Sequence, residues 1–387
     1  MSKNILLVDT NFSSKPIYDN LINMGYNVYV VGGNKDDFLA KTVDNYLNFD
    51  YSNINIIIKI IEEYKIELIL PGCNDFSYYV CSKVNEMFFK YKTIDSVDNF
   101  TNLNNKAYFK LIAKDIGLST PLIYDNINEI NKFPVIVKPV DSFSGKGNII
   151  VENKEQLKTS VSYAESYSKS KKIIIEDYIQ GQLFSYSSFI YNDKILIDFI
   201  VQEDCIANKF AVDTSRVIFD FPQKILKKLR QEVLILYKKL LLTNGLMHVQ
   251  FILDNNNDDY WLIEITRRCP GDLYSSLIYY STGFNYAKYY IEPLLGINSM
   301  INFNLVKKSI IRHTITSKKS GRFIELSFNH PISMKSFLIL SQSGDFINEA
   351  PQSRLGLIFI DTKDKKEFDF IYNSLLGREL YDIKLQY

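Results

Sequence analysis

A lysine on an apolar stretch, followed by a loop of serine, glycine and lysine, is the first feature that could do chemistry. The stretch PVIVKPVDSFSGKGNIIV contains Lys138 on its apolar part and Gly145, Lys146 and Gly147 in the loop. Its spacing differs from the G-x-x-x-x-G-K-[ST] loop, which opens a helix and binds phosphate at the helix N-terminus. In this sequence a second apolar stretch, and not a helix, follows the loop. We therefore expect Lys138 and the loop to lie between two strands, with the loop acting as a flexible flap.

A predicted β-hairpin carries side chains that suit a divalent cation. The strand-like stretches LMHVQFILD and YWLIEITRR are separated by the polar NNNDD. A turn centred on Asn257 places Gln250 directly opposite Glu264. The same turn places His248 opposite Thr266, and direct cross-strand partners project from one face. Carboxylate, amide and hydroxyl oxygens are hard ligands of the kind that Mg²⁺ prefers. The hairpin therefore predicts a metal site made by Glu264, Gln250 and Thr266.

The composition argues against several classes of partner. The chain has 387 residues, with 45 Lys plus Arg against 44 Asp plus Glu, and its formal net charge is +1. No basic field is therefore expected for nucleic acid or for an anionic membrane. The four cysteines include no C-x-x-C pair, which disfavours a structural zinc site, and no apolar stretch reaches the length of a membrane span. We expect a cytoplasmic protein.

The elements that must position these residues begin with an α/β domain. The first hundred residues alternate between short apolar strands and helical stretches, which predicts an open parallel sheet. The turn after the first strand, DTNFSSKP, lacks the G-x-G-x-x-G fingerprint of a dinucleotide-binding domain. We therefore interpret this domain as a scaffold or substrate-side domain.

The rest of the chain is predicted to form a short helix, a small lid, a larger antiparallel sheet and a closing lobe. The helix lies within LNNKAYFKLIAKDIG, and the lid contains the flap and the strand KKIIIEDYI. The larger sheet contains a meander and the predicted metal hairpin. The closing lobe consists of short strands and a terminal helix. The expected domain boundaries are 1–100, 101–185, 186–300 and 301–387.

Taken in order, these features resemble the ATP-grasp superfamily and, within it, the carboxylate–amine ligases. The features are Lys106, Lys138, the loop 142–147, IIIEDYIQG at 173–181 and the hairpin at 248–268. The resemblance covers about residues 1–295. It implies an α/β (α+β) ATP-grasp fold, in which an open parallel α/β domain precedes a lid and a larger antiparallel sheet. It also implies ATP and Mg²⁺, with Mn²⁺ as an alternative, as cofactors.

The resemblance also implies roles for individual residues. Glu264 matches the main metal-binding glutamate, and Arg268 matches an arginine that steadies the acyl phosphate and the transition state. Lys146 would act with Arg268 in catalysis from the flap. The remaining expected ATP contacts come from two phosphate-binding lysines, the flap and the hinge strand beside the adenine: Lys106, Lys138, Ser144, Gly145, Lys146, Gly147, Glu176, Asp177, Tyr178 and Ile179.

Three positions depart from the family pattern. Gln250 stands where the family usually has a second metal carboxylate, and Thr266 stands where it has an asparagine. Leu183 occupies a position where a ribose-binding glutamate is common. A neutral amide is a weaker ligand for Mg²⁺ than a carboxylate. The site could therefore hold one ion only, or use Asp254 or a water as a further ligand.

The favoured function is the ATP-dependent joining of a carboxylate to an amine through an acyl phosphate, with release of ADP and phosphate. Two alternatives stay open: a kinase that acts on a hydroxyl, and a degenerate nucleotide-binding module. Candidate substrate contacts are Arg216, Ser215 and His248. Small-molecule carboxylates and amines are the expected partners, with amino acids and amino- or carboxy-sugars as candidates. A homodimer is a further possibility.

Overall fold

A parallel sheet forms the N-terminal part of the protein. The computed structural model describes residues 3–142, 145–254, 259–298 and 304–386. The sheet has the order β3-β2-β1-β4, and all of its strand pairs are parallel. Its strands are β1 (Asn4–Val8), β2 (Asn27–Val31), β3 (Tyr46–Leu47) and β4 (Leu68–Pro71). The predicted open parallel α/β domain is confirmed.

Helices connect these strands, and the strand order reverses between β1 and β4. The helices are α1 (Lys15–Asn23), α2 (Phe38–Thr42), α3 (Ile54–Glu63) and α4 (Asp75–Val84). Such a reversal opens a crevice at the carboxyl ends of the two strands. Asp9 joins the loops on its two sides, because its carboxylate accepts hydrogen bonds from Ser14 Oγ at 2.7 Å and from the Cys73 N–H at 3.1 Å. The start of α4 is therefore held next to the loop after β1.

Two short helices lead to the lid, where the sequence predicted one. They are α5 (Val97–Asn104) and α6 (Lys106–Asp115). Asn105 has an extended backbone conformation and caps α6 with its side chain, which ends the first helix and begins the second. The lid comprises β5 (Val135–Pro139), β6 (Ile149–Val151), α7 (Leu157–Ser166) and β7 (Ile173–Asp177), with strand order β6-β5-β7. Strands thus flank the flap on both sides, as predicted.

An eight-stranded antiparallel sheet forms the largest layer, with the order β12-β11-β8-β9-β10-β13-β17-β15. Side chains of α8 pack on one of its faces, where Leu229 and Val233 join Val249 and Phe251 in a buried cluster. Its elements up to residue 294 are β8 (Gly181–Tyr191), β9 (Lys194–Asp204), β10 (Thr214–Ile218), α8 (Gln223–Lys239), β11 (Gly245–Asp254), β12 (Tyr260–Thr266), α9 (Tyr274–Thr282) and α10 (Tyr286–Leu294).

The C-terminal residues extend this sheet and add a smaller one. Their elements are β13 (Ile310–Ile315), β14 (Gly321–Phe328), β15 (Ser333–Ile339), β16 (Phe346–Ile347), β17 (Gly356–Asp361), α11 (Lys365–Leu376) and β18 (Tyr381–Gln386). Strands β13, β15 and β17 continue the large sheet, whereas β16, β14 and β18 form a separate one. The expected terminal helix, α11, is followed by a strand. The four domain boundaries stay a prediction.

Candidate functional site

Two buried lysines share one carboxylate where the lid meets α6. Lys138 on β5 pairs with one oxygen of Glu176 on β7, and Lys110 Nζ on α6 lies 2.9 Å from the other oxygen. The side chains of Lys110 and Glu176 are only 3% and 2% exposed. Burial opposes ionisation of Glu176, but the two ammonium groups outweigh it and hold the pKa of Glu176 below its usual value. This ion triad fixes the lid strands to α6.

Local geometry explains why these groups meet. The β5–β7 register pairs Lys138 with Ile174 and Ile136 with Glu176, so Lys138 and Glu176 project from the same face of the lid sheet. Lys106 and Lys110 are four residues apart on α6 and share a helix face. Lys106 Nζ donates to the carbonyl oxygens of Pro139 at 3.2 Å and Ser142 at 2.9 Å, at the base of the flap.

The flap contains two glycines that other residues could not replace without strain. Gly145 has a φ of +68° and Gly147 a φ of +77°. A Cβ atom on Gly147 would lie 2.5 Å from Cβ of Tyr167, and one on Gly145 would lie 2.2 Å from Cβ of Phe210. The flap therefore packs against the end of α7 and the loop between β9 and β10. Lys146 is exposed, and the predicted ATP contact Ser144 lies outside the described residues.

The predicted hinge strand is held firmly by its neighbours. Tyr124 Oη donates to the Asp177 carboxylate at 2.6 Å. The N–H groups of Asp177 and Tyr178 donate to the carbonyl oxygens of Leu122 at 2.9 Å and Pro134 at 3.2 Å. The Glu176 side chain is committed to the two lysines. These bonds leave the partly exposed side chains of Tyr178 and Ile179 as groups of the hinge that could contact a base. The adenine contact itself stays a prediction.

The hairpin β11–β12 has the predicted register. Gln250 lies opposite Glu264 and His248 lies opposite Thr266, with a bulge after Gln250. We call the face of the large sheet that carries these four side chains the Glu264 face. The Glu264 side chain is reached by solvent. Among the described residues its carboxylate has no hydrogen bond and no ion pair.

Charged groups from four other elements act on Glu264. Enclosure by protein atoms and the nearby Asp75 carboxylate raise the pKa of Glu264, whereas the cationic groups of Arg268, Lys106 and Lys138 oppose that rise. We call these five residues the central cluster. They come from β5, the start of α4, the start of α6, β12 and the segment after β12. The fold therefore brings the predicted phosphate-binding lysines and the predicted metal ligand together.

The donor atoms near Glu264 fit a hard cation. Gln250 Nε2 donates to Glu203 Oε2 at 2.7 Å, which leaves the amide oxygen of Gln250 as an acceptor. Thr266 Oγ1 donates to Asp75 Oδ1 at 3.1 Å. Within the described ranges, no group of three or more His, Cys, Asp or Glu residues forms a ready metal cluster. A carboxylate and an amide oxygen suit Mg²⁺, which keeps waters and shares phosphate oxygens. The three metal ligands stay a prediction.

Two consecutive arginines after β12 have different surroundings. Arg268 Nε and Nη2 lie 2.9 and 3.1 Å from the two oxygens of Asp75, and this pairing raises the pKa of Arg268 against the effect of burial. Arg267 Nε pairs with the buried Asp95 at 2.6 Å, and its Nη groups donate to the carbonyls of Leu246 and Thr243. Arg267 thus holds a loop in place, and only Arg268 joins the central cluster.

The predicted substrate contacts lie on two different faces of the sheet. Arg216 donates to Gln202 Oε1 at 3.1 and 2.9 Å, and its guanidinium lies 5.1 and 4.8 Å from the ring centroids of Phe368 and Tyr372 on α11. Ser215 pairs directly with Glu203 and therefore faces the other way, onto the Glu264 face. The placement of Arg216 supports a packing role and gives no support to the predicted substrate contact.

A different arginine occupies the Glu264 face. Arg312 lies opposite Ser215, is 2% exposed, and donates to Ser215 Oγ at 3.1 Å and to the Asp272 carbonyl at 2.8 Å. His248 is also buried, with Nδ1 2.8 Å from Ser187 Oγ. Burial lowers the pKa of His248 to about 3, so its imidazole is neutral near neutral pH. It could accept or donate a hydrogen bond but carries no charge for a substrate.

Sequence reasoning missed four charged residues of the site: Lys110, Asp75, Glu203 and Arg312. Lys110 had a usable signal, because its spacing of four residues from Lys106 places both on one helix face. Asp75 also had one, since it follows a parallel strand, where binding residues gather at the carboxyl end. Glu203 and Arg312 had none. Burial raises the pKa of Glu203 to about 7, although Ser185, Gln250 and Arg312 act to lower it.

The chain has the fold of ATP-grasp proteins, as the sequence resemblance predicted. Residues 99–286 match the family model described as D-ala D-ala ligase C-terminus. The D-alanine–D-alanine ligase of Fusobacterium nucleatum is 27% identical over 274 residues, which cover 69% of this chain and 85% of that relative. The residues that the family model matches include the lid, both predicted phosphate-binding lysines and the hairpin with Glu264.

Solved structures share the whole architecture at low sequence identity. The L-amino acid ligase of Bacillus licheniformis has a TM-score of 0.81 at 17% identity, with 100% of this chain and 99% of that chain covered. The biotin carboxylase of Campylobacter jejuni, solved as a beta-gamma-ATP complex, has a TM-score of 0.76 at 18% identity, with 100% of this chain and 92% of that chain covered. These likenesses establish the fold. In the described residues, no helix is both long and apolar enough to cross a membrane.

Proposed function

We propose that the protein is an ATP-dependent ligase that joins the carboxylate of one amino acid to the amine of another and releases ADP and phosphate. The observation that carries this proposal is the convergence of Lys106, Lys138 and Arg268 on the unpartnered carboxylate of Glu264. Three positive groups beside the carboxylates of Glu264 and Asp75 suit a nucleotide triphosphate bound with a cation. Similarity to a D-alanine–D-alanine ligase and to an L-amino acid ligase supports amino acids as the substrate class.

The proposed reaction has two chemical steps. A carboxylate oxygen of the first substrate attacks the γ-phosphorus of ATP, and the bond from that phosphorus to the β–γ bridging oxygen breaks. This step forms an acyl phosphate and ADP. The amine nitrogen of the second substrate then attacks the acyl carbon, the bond from carbon to the phosphate oxygen breaks, and the nitrogen loses a proton. The products are an amide and inorganic phosphate.

The residues of the chain mainly position reactants and neutralise charge. Lys106 and Lys138 would bind phosphate oxygens, and Lys138 is kept in place by Glu176. Arg268, held by Asp75, would stabilise the acyl phosphate and the charge that develops in the transition state. Mg²⁺, when bound by Glu264 and Gln250, would neutralise phosphate charge. The flap around Gly145 and Gly147 would close over the phosphates and exclude water, which would otherwise hydrolyse the acyl phosphate.

One assay tests this function directly. The protein is incubated with ATP, Mg²⁺ and pooled amino acids, with and without hydroxylamine. We expect ADP, phosphate and a dipeptide, and a hydroxamate when hydroxylamine traps the acyl phosphate. A stable phosphorylated alcohol would instead identify a kinase, and ATP binding without turnover over a broad substrate pool would identify a nucleotide-binding module. A homodimer and a cytoplasmic location stay predictions.

A further inference from the structure

We infer that Glu203 is a positioning residue for the metal site, and that the Glu203–Gln250 pair replaces the second metal carboxylate of the family pattern. This inference rests on the proposed function, because it concerns the cation that Glu264 would bind. The sequence suggested that Gln250 weakens the metal site. In the structure a carboxyl group on β9, two strands along the sheet from β11, contacts this amide.

The hydrogen bond between the two side chains fixes the direction of the amide. Gln250 Nε2 donates to Glu203 Oε2 at 2.7 Å. Because Nε2 is the donor in this contact, the amide nitrogen faces Glu203. The oxygen of the planar amide then lies at the opposite side of the group and is available to a cation. Glu203 is 5% exposed, so water competes little for this bond.

The strand register places the groups in a row on the Glu264 face. Gln250 pairs with Glu264 on β12 and with Ser185 on β8. Glu203 on β9 pairs with Leu183, which is two residues from Ser185 and therefore projects from the same face. The neighbouring strands β12, β11, β8 and β9 thus carry Glu264 on the first, Gln250 on the second and Glu203 on the fourth. The row contains two carboxyl groups, as in the usual family pattern, but one of them acts through the amide.

A carboxylate behind the amide also strengthens its oxygen as a ligand. Donation of the amide N–H to a carboxyl oxygen draws electron density towards the amide oxygen. Groups that orient and polarise metal ligands in this way change metal affinity about 10- to 100-fold when they are mutated. We therefore expect Gln250 to bind Mg²⁺ or Mn²⁺ better than an isolated amide does.

A competing role for Glu203 is that of counterion to the buried Arg312. The contacts of Arg312 argue against it, since the guanidinium donates to Ser215, Thr314 and the Asp272 carbonyl and lies 3.4 Å from the Asp272 carboxylate. Glu203 lies near Arg312 and feels its charge, but its hydrogen-bonded partner across the sheet is Gln250. If the counterion role were the main one, loss of Glu203 would change stability and leave metal affinity unchanged.

The test measures Mn²⁺ binding, with no turnover required. Free Mn²⁺ is followed by electron paramagnetic resonance during titration of the full chain saturated with the non-hydrolysable analogue AMP-PNP. We expect Glu203→Gln to weaken Mn²⁺ binding about 10- to 100-fold. Asp198→Asn is the matched control, because Asp198 lies on the same strand but pairs with Arg230 of α8 on the opposite face. That control should bind Mn²⁺ as the wild type does.

An exchange variant separates positioning from folding. Glu203→Gln combined with Gln250→Glu keeps the hydrogen bond and the net charge and moves the carboxylate into the ligand position. It should bind Mn²⁺ at least as tightly as the wild type. Unchanged affinity in Glu203→Gln, or no recovery in the exchange variant, overturns the inference. Glu264→Gln tests the underlying metal site: if that variant also binds Mn²⁺ normally, the proposed site itself is wrong, whereas loss in Glu264→Gln alone rejects only the role of Glu203.

Discussion

Arg268 and Asp75 form a two-point ion pair although they are 193 residues apart, with Nε 2.9 Å from Oδ1 and Nη2 3.1 Å from Oδ2. Asp75 begins α4 of the N-terminal domain, and it also accepts a hydrogen bond from Thr266 at the end of β12. The N-terminal domain therefore sets the position of the arginine that the resemblance assigns to catalysis. This contact gives the domain a role in the site beyond that of a scaffold.

Replacement of Asp75 by asparagine should lower kcat and leave nucleotide binding intact. The variant loses the charge that orients Arg268, and misplacement of a catalytic group can cost up to about 100-fold in rate. We expect the KM for ATP to change little, because Lys106 and Lys138 keep their own partners. Steady-state kinetics with the identified amino acids would measure both constants. Asp19→Asn, which removes an exposed ion pair with Lys15, is the control. A higher KM for ATP at unchanged kcat would contradict this role.

Replacement by lysine should mainly lower stability at Arg267 and mainly lower turnover at Arg268. Arg267→Lys cannot keep the bonds to Asp95, Leu246 and Thr243 together, so it should lose about 1–3 kcal/mol of unfolding free energy for each unsatisfied buried group. Arg268→Lys should unfold nearly as the wild type does but lose most turnover, because lysine lacks the planar fork. Chemical denaturation and dipeptide synthesis would be measured on both variants. Greater loss of stability in Arg268→Lys would refute this division.

Glu176→Gln should destabilise the lid strongly. It leaves the buried ammonium groups of Lys110 and Lys138 without their counterion, and breaking a buried ion pair by removing one partner costs about 3–5 kcal/mol. Lys138→Ala would remove one of the two cations that pair with Glu176 and also a proposed phosphate contact, so it should lower both stability and ATP affinity. Urea denaturation provides the measurement. Asp115→Asn removes an exposed pair with Lys239 and should change the unfolding free energy by less than about 1 kcal/mol.

The charge on Glu176 can be checked independently by the pH dependence of the unfolding free energy of the wild type and of Glu176→Gln. The pKa of Glu176 in the folded protein lies below its usual value of 4.5. Its charge therefore stabilises the fold above about pH 4.5, and this contribution is lost as pH falls through the folded pKa. The difference in unfolding free energy between wild type and Glu176→Gln should be largest near neutral pH and should shrink in acid. A difference that is constant from neutral pH into acid would show that Glu176 is not ionised in the fold.

Gly147→Ala should impair the flap without unfolding the protein. The new Cβ would meet Tyr167 and Pro139 at 2.5 and 2.8 Å, in a backbone conformation with φ of +77°. We expect weaker ATP binding and a slower reaction, together with more hydrolysis of ATP that is not coupled to ligation, because the flap would close less completely. Gly25→Ala is the matched control, since Gly25 has a φ of +84° but no atom within 4 Å of its Cβ position. Equal effects of the two variants on coupling would reject the role of the flap.

Much of this architecture could be predicted from local patterns. The alternation of short strands and helices predicted the N-terminal sheet, and apolar stretches on both sides of the flap predicted that strands enclose it. The hairpin register that pairs Gln250 with Glu264 followed from the length of the polar turn. These features depend on residues that are close in the chain, where spacing alone decides which side chains share a face.

The sequence by itself determined the class of protein, the positions of Lys106, Lys138 and Glu264, and the absence of the usual carboxylate at Gln250. Only the tertiary structure decided which groups act on them. Asp75 reaches Arg268, and Glu203 reaches Gln250, through contacts between elements that are far apart in sequence. The sequence suggested Arg216 as a substrate contact and gave no signal for Arg312, yet sheet pairing turns Arg216 towards α11 and Arg312 onto the Glu264 face. The physical reason is that strand order and domain packing set these contacts, and neither has a local signature in the chain.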